Sequence, residues 1–257
     1  MTTQPIHLTP EEVEILIQCP LHYHFRRQEA GPPDDAAELE QLVRESAHDL
    51  HAQGGPGRVS LRRCLAPLQH HLAAQVLVER YYLGLRHDWA STIASNEALA
   101  LTITIARVAI QLHTTVDRLN STGDGGIVAV LIRTGAEAPA DEARHRNSPR
   151  FTIYHALVAS AYLHKRPVRI REMWLAAGRD ITIELSEAEY RDNLSRLREP
   201  VLGLSRGQVR ARPGLHCDSC PYKPAGCPVY AHHNSPDDFD SPPPDGKIQP
   251  RQWLFDV

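Results

Sequence analysis

Four of the five cysteines in the chain form a set that could bind a metal. Cys19 precedes a proline near one end, and Cys217, Cys220 and Cys227 follow a C-x2-C-x6-C pattern near the other. Structural zinc and iron–sulfur clusters both usually take four ligands, so the triplet calls for a fourth thiolate, and Cys19 is the candidate. Such a site would join the two ends of a domain and contribute to folding. The spacing alone does not distinguish zinc from iron–sulfur.

Other roles for the cysteines are disulfides or unrelated buried thiols. Disulfides suit a secreted protein, but no charged segment followed by an apolar one opens this sequence. Cys64 lies in a helical pattern and is expected to be a small core residue. Nothing approaches a continuous apolar membrane span, so we expect a cytoplasmic protein without membrane contact.

The elements that position Cys19 begin with a well-marked helix. Thr9 can cap it and Glu12 completes a capping box. An apolar stripe at helical spacing then leads to Cys19. The stripe consists of Val13, Leu16 and Ile17.

The later patterns indicate a mixed α/β fold with a helical region before the sheet. Helices are predicted from Ala36 to Ala52 and from Ser60 to Leu83, the second bent at Pro67. Apolar and polar residues then alternate, as in strands with one buried face. The predicted strands cover residues 99–105, 108–119, 127–132, 168–175 and 181–185. Two more helices are predicted, over residues 151–163 and after Ser186.

Residues 234–257 differ in composition from the rest. They are acidic and rich in proline, and they include the aromatic peptide Gln252-Trp253-Leu254-Phe255. A segment of this composition cannot form a core. We therefore expect a domain over residues 1–233 and a flexible tail over 234–257. The aromatic peptide would dock on a partner or fold back on its own domain.

Three features follow one another along the sequence in a recognisable order. The first is the helix that leads to Cys19-Pro20. The second is the segment Thr115-Val116-Asp117-Arg118-Leu119, which is followed by a glycine turn and by a strand that ends in Arg133-Thr134-Gly135. The third is the cysteine triplet. Together they resemble the PD-(D/E)XK nuclease superfamily, in particular its iron–sulfur RecB/AddB-type domains and CRISPR adaptation exonucleases. The resemblance covers most of residues 8–230. It implies a restriction-endonuclease-like mixed sheet flanked by helices and a 4Fe–4S cluster, with zinc as the alternative.

The resemblance also implies roles for single residues. Asp117 matches the first metal-binding aspartate, and His48 matches the histidine of the early helix, with His51 as a competitor. These two positions, Asp117 and His48, would be the metal ligands. The family's Gln-x3-Tyr pair matches at Tyr154, but Arg150 stands where glutamine would be.

The strand that should end in the family's Asp-x-Lys departs from the pattern. Leu131 replaces the second metal carboxylate and Arg133 replaces the lysine, and Glu137 comes only after the Thr-Gly turn. Metal-dependent phosphodiester hydrolysis needs carboxylates that converge on Mg²⁺. Leucine offers no ligand, and arginine keeps the charge but is not deprotonated at neutral pH. We therefore expect reduced or lost cleavage, with Mg²⁺ or Mn²⁺ bound only if the protein is active.

The function that this pattern favours is DNA processing of the recombination or repair type, with binding of single-stranded or branched DNA. Residues 141–212 carry fourteen bases against nine acids, although the whole chain has a net charge of -3. The candidate DNA-binding residues are Arg144, Arg146, Arg166, Arg169 and Arg171. For each, a solvated face or a surface ion pair is the alternative. The other hypotheses are an active metal-dependent exonuclease and a non-catalytic scaffold beside a separate helicase subunit, since the chain has no P-loop signature.

Overall fold

A mixed sheet of six strands lies at the centre of the structure, a computed structural model that describes residues 5–28, 35–218, 220–223 and 227. The strands are β1 (Ile6–Leu8), β2 (Thr92–Ile105), β3 (Val108–Ser121), β4 (Ile127–Arg133), β5 (Val168–Trp174) and β6 (Arg179–Ile183). Their order is β1-β3-β4-β5-β6, and β2 pairs with β3 outside this path. β4 and β5 are parallel, whereas β3 runs antiparallel to both β2 and β4.

Helices cover both faces of this sheet. The helices of the described residues are α1 (Pro10–Gln18), α2 (Pro20–Gln28), α3 (Asp35–Ala52), α4 (Leu61–Leu65), α5 (Leu72–Asp88), α6 (Glu142–Arg146), α7 (Pro149–Ala161), α8 (Glu187–Arg196) and α9 (Arg198–Ser205). Short 3₁₀ segments occupy Ala66–Leu68, Trp89–Ser91 and Leu215–Cys217. Because β4 and β5 are parallel, the chain must cross between them, and α6 and α7 lie on that connection.

Two apolar cores lie on the opposite faces of the sheet. α1 and α7 pack together on one face, and α3 and α5 pack together on the other. The side chains of β4 alternate between the two cores. Leu131 belongs to the first core, and its neighbours Val130 and Ile132 belong to the second. The predicted mixed α/β sheet flanked by helices is therefore confirmed.

The start of α1 follows the sequence signals closely. The Thr9 hydroxyl accepts a hydrogen bond from the Glu12 backbone N–H at 3.2 Å, and the Glu12 carboxylate accepts one from the Thr9 backbone N–H at 2.8 Å. The predicted stripe of Val13, Leu16 and Ile17 is buried. A capping box of the same kind opens α8 at Ser186.

Other predicted elements differ from the structure. The helix predicted from Ser60 to Leu83 is divided into α4, a 3₁₀ segment and α5. Pro67 explains the division, because it has no N–H to donate and its ring clashes with the preceding helical turn. The short elements β1 and α6 were not predicted. β1 is held by parallel pairing with β3, which is a contact distant in sequence.

The predicted tail over residues 234–257 lies outside the described residues, so its boundary at 233 stays a prediction. Within the described part of the chain, no helix is both long and apolar enough to span a membrane.

Candidate functional site

The fold brings together three of the residues predicted to form an active site. Asp117 and Arg133 lie on the adjacent antiparallel strands β3 and β4, and Tyr154 lies on α7. The Asp117 carboxylate accepts a hydrogen bond from the Ile132 backbone N–H, with 2.7 Å between the atoms. Leu131 is fully buried in the core, so it contributes an apolar surface at the position where the family has a carboxylate.

Arg133 is held by carboxylates from three elements. Its Nε donates to Glu172 at 2.9 Å, and its Nη atoms lie 3.3 Å from a Glu11 oxygen and 3.8 Å from a Glu40 oxygen. Tyr154 donates its hydroxyl to the same Glu11 oxygen at 2.8 Å. Burial opposes the charge on Arg133, but Tyr154, Glu172 and Glu11 outweigh burial and raise the pKa of its guanidinium above the usual value. Arg133 is therefore a permanent cation fixed at the end of β4.

Glu172 is the centre of this arrangement, and the sequence analysis did not identify it. It pairs in register with Leu131 across the parallel strands β4 and β5, and its side chain has no exposed surface. Its carboxylate accepts hydrogen bonds from Arg133, from Arg150 Nη2 at 3.0 Å and from His145 Nε2 at 2.6 Å. A charged residue at an inward position of a buried strand was the available signal.

The environment of Glu172 keeps it ionised. Burial raises the pKa of this carboxyl, but the hydrogen bond from His145 and the charges of Arg150 and Arg133 outweigh burial and lower it to about 2. Charge-assisted hydrogen bonds of this kind are about twice as strong as neutral ones. Glu172 therefore acts as a fixed anion among cations.

The same network extends to α1 through Arg150. One nitrogen of Arg150 lies 3.5 Å from Glu14, and the Ser148 hydroxyl donates to Glu14 at 2.7 Å. At the position that the resemblance matches to the family's glutamine, Arg150 places a second, partly buried cation beside Glu172. Together, these contacts tie α1, β4, β5, α6 and α7 into one polar cluster.

Asp117 is also neutralised by an arginine. Its second oxygen lies 3.4 Å from Arg44 Nε, and Arg44 also pairs with Glu40 at 3.2 Å, one turn earlier on α3. Burial raises the pKa of Asp117 above its usual value, although the charge of Arg44 and the hydrogen bond from the Ile132 N–H partly offset this rise. Sequence reasoning did not identify Arg44.

The two histidines considered on the early helix differ in burial. His48 is exposed on α3, and its role as a ligand stays a prediction. His51 is buried among the helices of the second core, where its Nε2 lies 2.8 Å from the Tyr81 hydroxyl. Burial, together with the charge of Arg118, lowers the pKa of His51 to about 4. Glu137 is exposed in the loop after β4.

The donor set does not fit the divalent metal that the family resemblance implies. Mg²⁺ binds in proteins through convergent, available carboxylate oxygens. Here Asp117 is engaged by Arg44 and a backbone N–H, Glu172 is surrounded by cations, and position 131 offers no oxygen. Within the described residues, no group of three or more His, Cys, Asp or Glu side chains is placed to hold an ion.

An open cleft of about 580 Å³ lies beside this network. Its charged side chains are Glu11, Glu40, Arg44 and Arg133, and His113, Tyr154 and small or hydroxyl-bearing residues of β2 and β3 complete its wall. Its two arginines equal its two glutamates in number. An anion can bind there by displacing the glutamates from these arginines.

The predicted DNA-binding arginines fall into two groups. Arg169 pairs with Asp124 at 2.8 Å and Glu184 at 2.7 Å, and Arg171 pairs with Asp88 and Asp180. Arg169 and Arg171 therefore form surface ion pairs, which were the alternative to DNA binding for these residues.

The other three arginines are placed differently. Arg166 donates to backbone carbonyl groups, among them that of Lys165 at 2.8 Å. Arg144 and Arg146 are exposed on α6, on either side of His145 in the sequence.

The four predicted cluster cysteines line one small pocket. Cys19, Cys217, Cys220 and Cys227 share it with aromatic side chains, among them Phe25. The Arg212 backbone N–H points to the Cys19 sulfur, with 3.5 Å between the atoms. Residues from both ends of the described chain therefore meet at this pocket, and their role as cluster ligands stays a prediction.

Replacing Glu172 tests the buried network. We expect Glu172→Gln to lower the free energy of unfolding by about 3–5 kcal/mol at neutral pH, because it leaves Arg133 and Arg150 short of a buried counter-charge. The folded state lowers the pKa of Glu172 from 4.5 to about 2, so its contribution is present above 4.5 and is lost as the pH falls towards 2. Urea titrations across this range should show the two proteins converging at low pH.

The matched control is Glu184→Gln, which removes an exposed carboxylate paired with Arg169. Surface pairs contribute at most about 1 kcal/mol. If Glu172→Gln lowers the free energy of unfolding as little as this control does, the network does not stabilise the fold.

Comparison with known proteins identifies the family. The sequence model of the PD-(D/E)XK nuclease superfamily matches residues 7–228. No curated protein matches the sequence. A solved structure from Eubacterium rectale, named as a candidate exonuclease, is 10% identical with a TM-score of 0.51 and covers 83% of this chain and 86% of its own. The structure of SSO0001 is 14% identical with a TM-score of 0.47, and the match covers 90% of this chain and 89% of SSO0001. At such identity the first structure supports the fold alone. Since the family model spans most of the sequence, the chain belongs to the PD-(D/E)XK nuclease superfamily.

Proposed function

We propose that this protein binds DNA at the cleft and has reduced or lost the metal-dependent cleavage typical of its family. The observation that carries the proposal is the pairing of Asp117 with Arg44 and of Glu172 with Arg133. Guanidinium groups stand where a metal ion would need free carboxylate oxygens. The nuclease family supports nucleic acid as the ligand class.

The electrostatics explain why cleavage would be impaired. A metal ion in this site would have to displace Arg44 from Asp117 and would feel the permanent charge of Arg133 nearby. Repulsion between these cations raises the free energy of the metal-bound state. Leu131 adds no compensating ligand. The attacking water would therefore lack the lowered pKa that a bound metal supplies.

The same cations favour phosphate binding. Arginine presents a planar set of donors that matches a phosphate group. Arg44 is about one-third exposed, and its partner Glu40 is similarly exposed, so this pair can open towards the cleft. On α6, Arg144 and Arg146 flank His145, which contacts Glu172. These arginines would extend a path for the phosphate backbone.

We propose an iron–sulfur cluster at the cysteine pocket, as the family resemblance implies. The four thiols line one pocket, and four thiolates match the ligand number of either a 4Fe–4S cluster or a zinc ion. The resemblance to the iron–sulfur branch of the family favours the cluster. The backbone N–H of Arg212 would then donate to a ligand sulfur.

Cleft arginines should control DNA affinity. We expect Arg44→Gln to weaken binding of a labelled single-stranded oligonucleotide several-fold and to reduce the slope of log K against log salt by about 0.7, as for one lost phosphate contact. Fluorescence anisotropy at several salt concentrations measures both. Arg169→Gln is the control, since that residue is already paired with two acids. If neither variant changes the affinity or its salt dependence, the DNA-binding proposal is wrong, and the hypothesis of a scaffold beside a separate helicase subunit takes its place.

Nuclease activity should be absent or very weak with Mg²⁺ and with Mn²⁺. The assay uses end-labelled single-stranded and branched DNA with protein prepared without oxygen. Robust cleavage that disappears in Asp117→Ala would establish the active exonuclease instead. Cleavage that persists in Asp117→Ala would come from a contaminating enzyme and leave the expected result in place.

Protein prepared without oxygen should be brown and contain about four irons per chain with acid-labile sulfide. Cys19→Ser should lower the iron content and the melting temperature, because the site joins distant parts of the chain. Cys64→Ser is the control, since Cys64 packs with the second core. Stoichiometric zinc without sulfide would contradict the cluster.

A further inference from the structure

A line of exposed apolar side chains runs along the outer side of α5. Leu72 is 74% exposed, Val76 49% and Leu83 46%. Separations of four and seven residues place them on one side of a helix, over about 16 Å. The inner side of α5 is buried through Ala74, Leu77, Val78, Tyr81, Tyr82 and Leu85. α5 is therefore apolar on the side away from the core as well as on the side towards it.

This apolar line lies in a basic setting. α4 packs against α5 and carries the exposed Arg62 and Arg63, and Arg86 is exposed in the last turn of α5. Glu79 is the acidic residue that interrupts the line, and Asp88 is already paired with Arg171. A peptide that covers this surface should thus combine large apolar side chains with net negative charge.

The chain itself contains such a peptide. Residues 234–257 carry five aspartates against Lys247 and Arg251, and they include Trp253-Leu254-Phe255. This segment lies outside the described residues. A strand of about five residues spans 16 Å, which is the length from Trp253 to Val257. Charge sign, apolar content and length therefore all match the α5 surface.

Chain length also permits the contact. Trp253 lies 26 positions after Cys227 in the sequence, and an extended chain of that length reaches about 85 Å. A domain of this size has a radius of gyration of about 18 Å. Because the segment is tethered, its effective concentration reaches the millimolar range, so a contact too weak to form between separate molecules suffices.

We propose that the outer side of α5, at Leu72, Val76 and Leu83, is the docking site of the chain's own segment Trp253–Val257. The side chains of Trp253, Phe255 and Val257, which share one face of an extended segment, cover the apolar line, while the aspartates before them face the arginines of α4 and α5. This contact uses the face of the sheet opposite to α1 and α7 and does not depend on the function of the cleft.

Photo-crosslinking in the full-length protein tests this contact. Trp253 is replaced by benzoyl-phenylalanine, and the crosslinked peptides are mapped by mass spectrometry. A mixture of ¹⁴N- and ¹⁵N-labelled chains separates links within one chain from links between chains. We expect links within one chain to the peptide that contains residues 72–83, with a yield that decreases at high salt.

Surface variants provide the controls. Val76→Asp with Leu83→Asp should reduce that crosslink several-fold, and both positions are exposed, so the melting temperature should change little. Leu163→Asp is the matched control, because Leu163 is 68% exposed outside α5. Links between chains would instead identify a second copy as the occupant. Links to another surface, or none, would equally overturn the proposal.

Discussion

The negative charge of Glu172 is the constraint on which much of the interior depends. A carboxylate with no exposed surface is very unfavourable unless cations and hydrogen-bond donors surround it. Arg133, Arg150 and His145 meet this requirement, and each comes from a different element. The ends of β4, α6 and α7 are therefore held at fixed distances from β5. A shift in any one of them would leave a buried charge without its partner.

This requirement also shapes the surface of the molecule. The cations gathered around Glu172 exceed its single charge, and the excess is balanced by acids of α1 and α3. Glu11 and Glu14, three residues apart, present one side of α1 to these arginines. As a result, the acidic and basic groups of the cleft are set by the interior as much as by any ligand. An anion that enters must compete with carboxylates already in place.

Local signals were sufficient to predict most of the fold. Thr9 and Ser186 marked helix starts because capping depends on residues only three positions apart. The alternation in β2 and the apolar run of β4 likewise reflect local burial. The neighbouring positions of Asp117 and Arg133 followed from two adjacent strands and a turn. Glu172 and Arg44 were missed, because their roles depend on strand order and on which side of α3 faces the sheet.

The register of β4 and β5 limits which side chains position 131 can carry. Leu131 and Glu172 are direct neighbours on parallel strands, which lie about 4.8 Å apart. An aspartate at 131 would place a second buried anion beside the first, and the two would repel each other. A carboxylate at 131 would thus require a further cation or a change at Glu172. Positions 131 and 172 are therefore constrained as a pair, so that neither can change its charge alone.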